Sequence, residues 1–384
     1  MEKRFRSPYR DGPLAHNGHG PRDVSTALVL GTCEALISRS TPDERTVIRS
    51  FAGVDLTRGP IIVAEVGNNH EGDFGLAKEL VRRASDCGVD VVKFQTFRTE
   101  HYVSRSDAAR FERLTRFQLS YDQFAELAAL AHSVGTRFVS TPLDLRSADF
   151  LAQHVDFFKI ASADNDFYPL MARVAATGKP VVVSTGLSDL AQVERSVAFM
   201  RRAWAERNVT GELAVLHCVS CYPTPPEEAS LSVITTLRAA FGGVVGYSDH
   251  TTGLDAALTA IALGADIVEK HFTLDKNYSD FRDHKLSADP IEMRELVQRA
   301  RHVRALVGSG EKRMQSCEES SAALIRRSIV AAADLPAGHR MTLEDLTWIR
   351  PAGGLSPGNE ALLLGKRLRR AVRFGERLQS DDVE

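Results

Sequence analysis

The chain has 384 residues, 43% hydrophobic and 26% charged, with a formal net charge of −2. That is enough apolar material for a sizeable core and more than one domain, and it leaves no basic field for general nucleic-acid or membrane binding, so the expected partner is small. Five cysteines at scattered positions 33, 87, 218, 221 and 317 make no disulfide framework and point to a reducing, cytoplasmic compartment.

Residues 1 to about 24, rich in Arg, Gly, Pro and His, read as a flexible lead, and residues 25–58 as the place for a short helix. Together, residues 1–58 form an N-terminal extension, partly disordered. The apolar stretch Ala27–Ser38 contains Glu34 behind a long polar lead and is a poor signal peptide. No run approaches the roughly 18 apolar residues of a membrane span.

Eight short apolar runs follow in residues 59–308: Ile61–Val66, Val89–Val92, Arg137–Val139, Val155–Phe158, Pro180–Val183, Leu213–Leu216, Gly243–Gly246 and Ala265–Val268. Strands buried on both faces read as continuous apolar runs, and the segments between them carry helical periodicity, for example Phe74–Cys87, Tyr121–Val134 and Leu254–Leu263. Eight βα units in this length predict a TIM barrel of the α/β class, closed by a helix over Ile291–Val307. Nearly every run ends in polar, charged or glycine residues, which such a barrel gathers at one mouth.

After a linker, residues 309–323, the pattern changes to short elements and turns in residues 324–384. A strand is expected over Arg327–Ala331, with further short elements at Thr342–Asp345 and Trp348–Pro351 and a pair at Gly365–Leu368 and Ala371–Phe374. A domain of about 60 residues has a marginal core alone and should dock on something.

Chemistry concentrates at the strand ends. His250 follows run seven and His271 follows run eight; the pair fits either a divalent metal held by imidazoles, with positions open to water or substrate oxygen, or two hydrogen-bonded mouth histidines. Lys93 and Lys159 end interior runs, where a lysine is an amine nucleophile, a cation for an anionic ligand, or the partner of a core carboxylate such as Glu65 or Glu269. Ser162, Ser184, Ser220 and Ser248 at four strand ends favour a phosphate or carboxylate ligand. Glu65, inside the first run, should be salt-bridged or serve as an acid/base. His217 reads as packing, and Cys218-x-x-Cys221, with no helix directly behind it, reads as buried packing in preference to a redox or zinc pair.

These residues occur in ordered motifs: Ala64-Glu65-Val66-Gly67-Asn68-Asn69-His70-Glu71-Gly72, Val92-Lys93-Phe94-Gln95-Thr96, Ser140-Thr141-Pro142, Lys159-Ile160-Ala161-Ser162, Ser184-Thr185-Gly186, His217 through Pro225, Gly246 through Thr251, and Glu269-Lys270-His271-Phe272-Thr273. On them the chain resembles the sialic acid synthase family over residues 59–380, and its tail resembles the family's antifreeze-like (SAF, β-clip type) domain. The resemblance implies condensation of phosphoenolpyruvate with an N-acylated aminohexose, giving a nine-carbon 2-keto acid with C–O cleavage. It implies Mn²⁺, with Mg²⁺ or Co²⁺ as alternatives, on His250 and His271. It also implies phosphoenolpyruvate on Lys93, Gln95, Lys159, Ser162, Ser184, Ser220 and Ser248, with Glu65 as acid/base. Asp164, Tyr222 and Asp283 would lie on the sugar side, and Arg350 would reach the sugar bound to the other subunit of a domain-swapped homodimer.

Three departures bear on the acceptor. Asp164 stands where relatives using N-acetylmannosamine commonly have Glu, Tyr278–Arg282 replaces a Pro-Gly-Pro loop with one extra residue, and Ser220 stands where some relatives have Asn. Two other readings compete with the synthase. One is a Schiff-base aldolase on Lys93 or Lys159; the other is a non-catalytic relative that binds a sugar acid or anion.

Overall fold

The computed structural model describes residues 50–384; residues 1–49, with the expected lead and most of the segment expected to hold a helix, lie outside the described residues. The described end of that segment is not helical. Ser50–Phe51 (β1) and Val54–Asp55 (β2) form an antiparallel hairpin. Its two central residues, Ala52 and Gly53, both take positive φ, 48° and 74°, which matches the twist of a tight two-residue connection.

Eight parallel strands close into a barrel: β3 (Ile61–Gly67), β4 (Val91–Thr96), β5 (Arg137–Pro142), β6 (Phe158–Ile160), β7 (Val181–Ser184), β8 (Leu213–Cys218), β9 (Val244–Asp249) and β10 (Ile267–His271), with β10 pairing β3. Most run past the end of their apolar stretch. The backbone ladder continues through the polar clusters because alternate side chains there still face the barrel interior. Helices such as Phe74–Asp86, Tyr121–Ser133 and Pro290–Val307 pack outside, and Gly308, at φ 66°, follows the last of them.

The interior is graded along its axis. At the N-terminal ends of the strands, Ile61, Val63, Val91, Val139, Val182 and Ile267 form one apolar cluster with Phe51 and Leu56 of the hairpin segment. Two positions further along each strand the same face carries Glu65, Lys93, Thr141, Ser184 and Glu269. The hairpin therefore stoppers the closed end: Phe51 is 1% exposed and meets Phe157 edge to face, centroids 5.6 Å apart. Phe51→Ala should cost about 3–5 kcal/mol, read as a lowered denaturant midpoint at unchanged slope. An unchanged midpoint would remove the hairpin from the core.

The segment 309–323 is partly ordered as a turn at Ser316–Glu318 and the start of a short helix, Glu319–Ile325. Beyond it a separate core, including Ile329, Met341, Leu346, Leu363, Val372 and Leu378, holds the small domain. Strands β11 (Ser328–Ala331) and β12 (Leu346–Ile349) pair antiparallel. The expected pair at 365–368 and 371–374 does not pair with itself. Arg367 bridges Arg340, Leu368 bridges Val383 and Val372 bridges Leu335, because the short segments wrap one core and do not meander. Among the described residues no helix is long and apolar enough to cross a membrane.

Candidate active site

A cavity of about 980 Å³ opens at the C-terminal ends of the barrel strands. On its floor four buried side chains form a chain of alternating charge. Glu65 on β3 pairs with Lys93 on β4 at 2.7 Å; Lys93 lies 3.6 Å from Glu269 on β10; Glu269 accepts from Lys159 on β6 through both oxygens at 3.1 Å. Gln95 Nε2 donates to Glu65 Oε1 at 3.0 Å, and Ser248 Oγ donates to Glu269 Oε1 at 2.9 Å. Lys93 Nζ also donates to Thr141 Oγ1, 3.4 Å away. The lysines are thus both carboxylate partners and cations lining the cavity.

The two carboxylates are driven apart. Burial pushes the Glu65 carboxyl above its ordinary value, with Lys93 opposing and the nearby charge of Glu269 adding to the rise. Burial acts on Glu269 in the same sense, but Lys159 and Lys93 overcome it and bring that group down to about 2. Burial works against the Lys93 ammonium, yet Glu269 and Glu65 hold its pKa above the lysine norm; burial lowers that of Lys159 despite Glu269. Glu269 is the standing anion here, and Glu65, its pKa raised by burial, is the carboxyl more readily protonated of the two.

Beside this floor, Gly186 N donates to Ser162 Oγ at 3.0 Å, and a Cβ added at Gly186 would lie 2.4 Å from Ser220 Oγ and 2.8 Å from Ser162 Oγ. The Ser184 hydroxyl is buried without a partner. Three hydroxyls and two ammonium groups therefore border one space, a donor set suited to phosphate.

His250 and His271 both line the cavity, ring centroids 5.4 Å apart. With His250 Nδ1 donating to the Val219 carbonyl at 2.7 Å, its Nε2 keeps an open lone pair, while His271 Nδ1 is buried without a partner. Burial, then the neighbouring His250, drives the His271 pKa well down, keeping a neutral imidazole able to ligate. Among the described residues no group of three or more His, Cys, Asp or Glu side chains could hold an ion. The two imidazoles alone would hold a divalent ion only with water or substrate oxygens completing its coordination. Behind them a buried pair, Lys270 to Asp249 at 2.9 Å, ties the adjoining positions of the two strands together.

On the acceptor side Tyr222 packs on His250, centroids 4.1 Å apart, with the Arg282 guanidinium 4.5 Å from its ring, and Asp283 lines the same wall, 3.3 Å from Arg282. Asp164 ends a 3-10 turn, Ser162–Asp164, outside the cavity lining; burial and then Asp166 push its carboxyl up to about 6. Arg350 is exposed on the small domain and also lies outside the lining. His217 is buried, its Nε2 2.8 Å from the Ala229 carbonyl. Cys218 and Cys221 part company: Cys218 lines the cavity, Sγ 3.7 Å from His250 Nδ1, whereas Cys221 is exposed and so is not packing.

Sequence reasoning missed three features. Glu269 was visible only as a partner for a lysine, yet it touches both. Thr141 lay in a quoted motif without a role. The insertion between β4 and the helix Tyr121–Ser133 supplies a helix, Ala108–Phe117, that walls the cavity with Arg110, Arg113 and Arg116. The i, i+3, i+6 spacing of those arginines was the available signal.

The NeuB family model matches residues 80–312, and the SAF domain model residues 326–384. The chain is 36% identical to the N,N'-diacetyllegionaminic acid synthase of Legionella pneumophila, covering 84% of this chain and 94% of that one. It is 32% identical to the N-acetylneuraminate-9-phosphate synthase of Mus musculus, over 84% and 92%. Among solved structures, the N-acetylneuraminic acid synthetase of Leptospira borgpetersenii matches with TM-score 0.65 at 30% identity, over 69% of this chain and 90% of that one.

Proposed function

The chain belongs to the NeuB family and carries a C-terminal SAF domain, and we propose that it is a nonulosonate synthase, condensing phosphoenolpyruvate with an N-acylated aminohexose to give a nine-carbon 2-keto sugar acid and inorganic phosphate. The observation that carries this reading is the cavity floor. It combines cations and hydroxyls for an enol phosphate, a carboxylic acid poised to trade a proton, and two open imidazoles.

Lys93, Lys159, Ser162, Ser184, Ser220 and Ser248 would cradle the phosphate and carboxylate of phosphoenolpyruvate, and Gln95 would complete the set. Glu269, the standing anion, pairs with both lysines and aims them at that space. A divalent ion on His250 and His271, Mn²⁺ by preference, would supply Lewis-acid polarisation of the acceptor aldehyde. The enol carbon C3 of phosphoenolpyruvate attacks the aldehyde carbon, and the new alkoxide takes the Glu65 proton. The Glu65 carboxylate then removes a proton from water as it adds to the oxocarbenium carbon C2, and the tetrahedral intermediate expels phosphate by C–O cleavage. Tyr222 and Asp283 orient the sugar hydroxyls. Leu187 stands 78% exposed on the cavity rim, an apolar side chain that a second subunit would cover. The working form in this reading is a domain-swapped homodimer in which Arg350 of the partner subunit reaches the acceptor.

The test is phosphate release from phosphoenolpyruvate by metal-stripped protein over a panel of 2-acetamido and 2,4-diacetamido hexoses, with and without Mn²⁺. Release that needs both an acceptor and the metal is expected; no release with any member would sink the synthase reading. His271→Ala should lose that release while keeping its far-ultraviolet circular dichroism, and full activity would remove the residue from the metal site. Gly186→Ala puts a methyl into the phosphate cradle. It should raise the KM for phosphoenolpyruvate about tenfold or more, whereas an unchanged KM would move the phosphate elsewhere.

A further inference from the structure

A second cavity, about 500 Å³ in volume, lies at the closed end of the barrel. The β1–β2 hairpin, the starts of β3, β4 and β5, and the helix Pro290–Val307 enclose it. Three arginines line it: Arg58 ahead of β3, half-buried Arg137 at the start of β5, and Arg301 on the helix. Helical spacing puts Val297, Ala300 and Arg301 on one face, so the helix brings a cation and apolar surface to the same wall.

An arrangement that occurs three times at this end shows what is left open here. An aspartate beside the start of a strand accepts a backbone N–H of the neighbouring strand: Asp90 from Ile62 at 2.8 Å, Asp156 from Phe138 at 2.8 Å and Asp266 from Val245 at 3.4 Å. A basic side chain closes off two of them, His132 on Asp156 at 2.9 Å and Arg238 on Asp266 at 2.6 Å. At Asp90, burial raises the carboxyl pKa, and the Ile62 N–H, Arg301 and Arg137 oppose the rise. Neither arginine closes on that carboxylate. Among the described residues Arg58, Arg137 and Arg301 have no ion pair and no side-chain hydrogen bond, and they line the cavity instead. The other carboxylate on the wall, Asp55, accepts from the Thr57 N–H at 2.9 Å and the Thr57 hydroxyl at 2.6 Å. Three guanidinium groups are thus offered to one space, against two carboxylates that backbone N–H groups already hold. Such a set matches the oxygens of a phosphate. The volume falls within the roughly 300–1,000 Å³ of small-molecule sites and exceeds what inorganic phosphate fills, and Val54, Pro60, Val297 and Ala300 supply apolar wall for the remainder.

We propose that this cavity is a second ligand site, separate from the mouth, that takes a small phosphorylated metabolite, with Arg58, Arg137 and Arg301 on its phosphate and the apolar wall against its body. The site is independent of the chemistry at the mouth and stands whether or not the synthase reading does. The probes are AMP and glucose 6-phosphate, with inorganic phosphate as a separate arm, titrated calorimetrically into full-length protein. At least one organic phosphate should bind, and Arg58→Gln/Arg301→Gln should weaken it at least about tenfold in Kd. Both residues are exposed, so that variant should keep the wild-type melting temperature. Arg113→Gln/Arg116→Gln, on the rim helix Ala108–Phe117 at the mouth, should bind the same probe as the wild type does. In the wild type alone, hydrogen exchange should slow over residues 50–62 when the probe is added. Binding of neither organic phosphate, binding that the closed-end variant leaves unchanged, or protection confined to the mouth overturns the proposal. Inorganic phosphate held as tightly as the organic probe also overturns it, since the apolar wall would then contribute nothing.

Discussion

Glu65→Gln is expected to lower kcat by about 10²- to 10⁴-fold, the range for removal of a general acid/base, with the KM for phosphoenolpyruvate moved only slightly. Glutamine keeps the shape and can still accept from Gln95 Nε2, the 3.0 Å contact of the native carboxylate, so the loss isolates the proton. The pH profile carries the sign. In the proposed sequence Glu65 must begin protonated, and burial raises its pKa. Wild-type activity should therefore decline as pH rises through that raised value, and the residual activity of Glu65→Gln should lack this decline. More than a tenth of wild-type turnover in the variant would take the acid/base role away from Glu65.

The two floor carboxylates also mark how far the sequence could be read. The barrel was legible because strands buried on both faces leave continuous apolar runs, and the polar residues after each run marked the mouth. The strand ends were drawn short because hydropathy falls where Lys93, Ser184, Ser248 and His271 begin, although the parallel ladder carries on through them. Counting in twos from Ile61 and Ile267 places Glu65, Glu269 and His271 on the inner face. What counting could not supply was distance across the barrel: that Glu269 on β10 reaches Lys159 on β6 is a property of closure. The family resemblance put Asp164 on the sugar side, but the turn after Ser162 carries it out of the cavity lining. The rim helix escaped notice because its apolar positions are few and its arginines read as an ordinary solvated face.

Glu269→Gln tests the same closure through stability. Lys159 and Lys93 are 4% and 3% exposed, and Glu269 is the one floor carboxylate that touches both. Removing one partner of a buried ionic cluster costs about 3–5 kcal/mol, because the remaining ammonium is left desolvated and under-neutralised. The melting temperature at neutral pH should accordingly fall by about 5–10 °C. The folded pKa of Glu269, about 2, lies below its reference value of 4.5, so its contribution is complete above pH 4.5 and disappears as pH falls to about 2. Wild type and variant should converge across that interval. Glu65, with its pKa shifted the other way, acts with opposite sign, its ionisation costing stability as pH rises, and it is common to both proteins. Adding Lys159→Met to Glu269→Gln removes the stranded ammonium and should recover part of the loss, even though it forfeits activity. A double variant no more stable than Glu269→Gln alone would mean that the carboxylate does not neutralise Lys159, and that the charge chain across the barrel floor is not what holds the strand ends at their spacing.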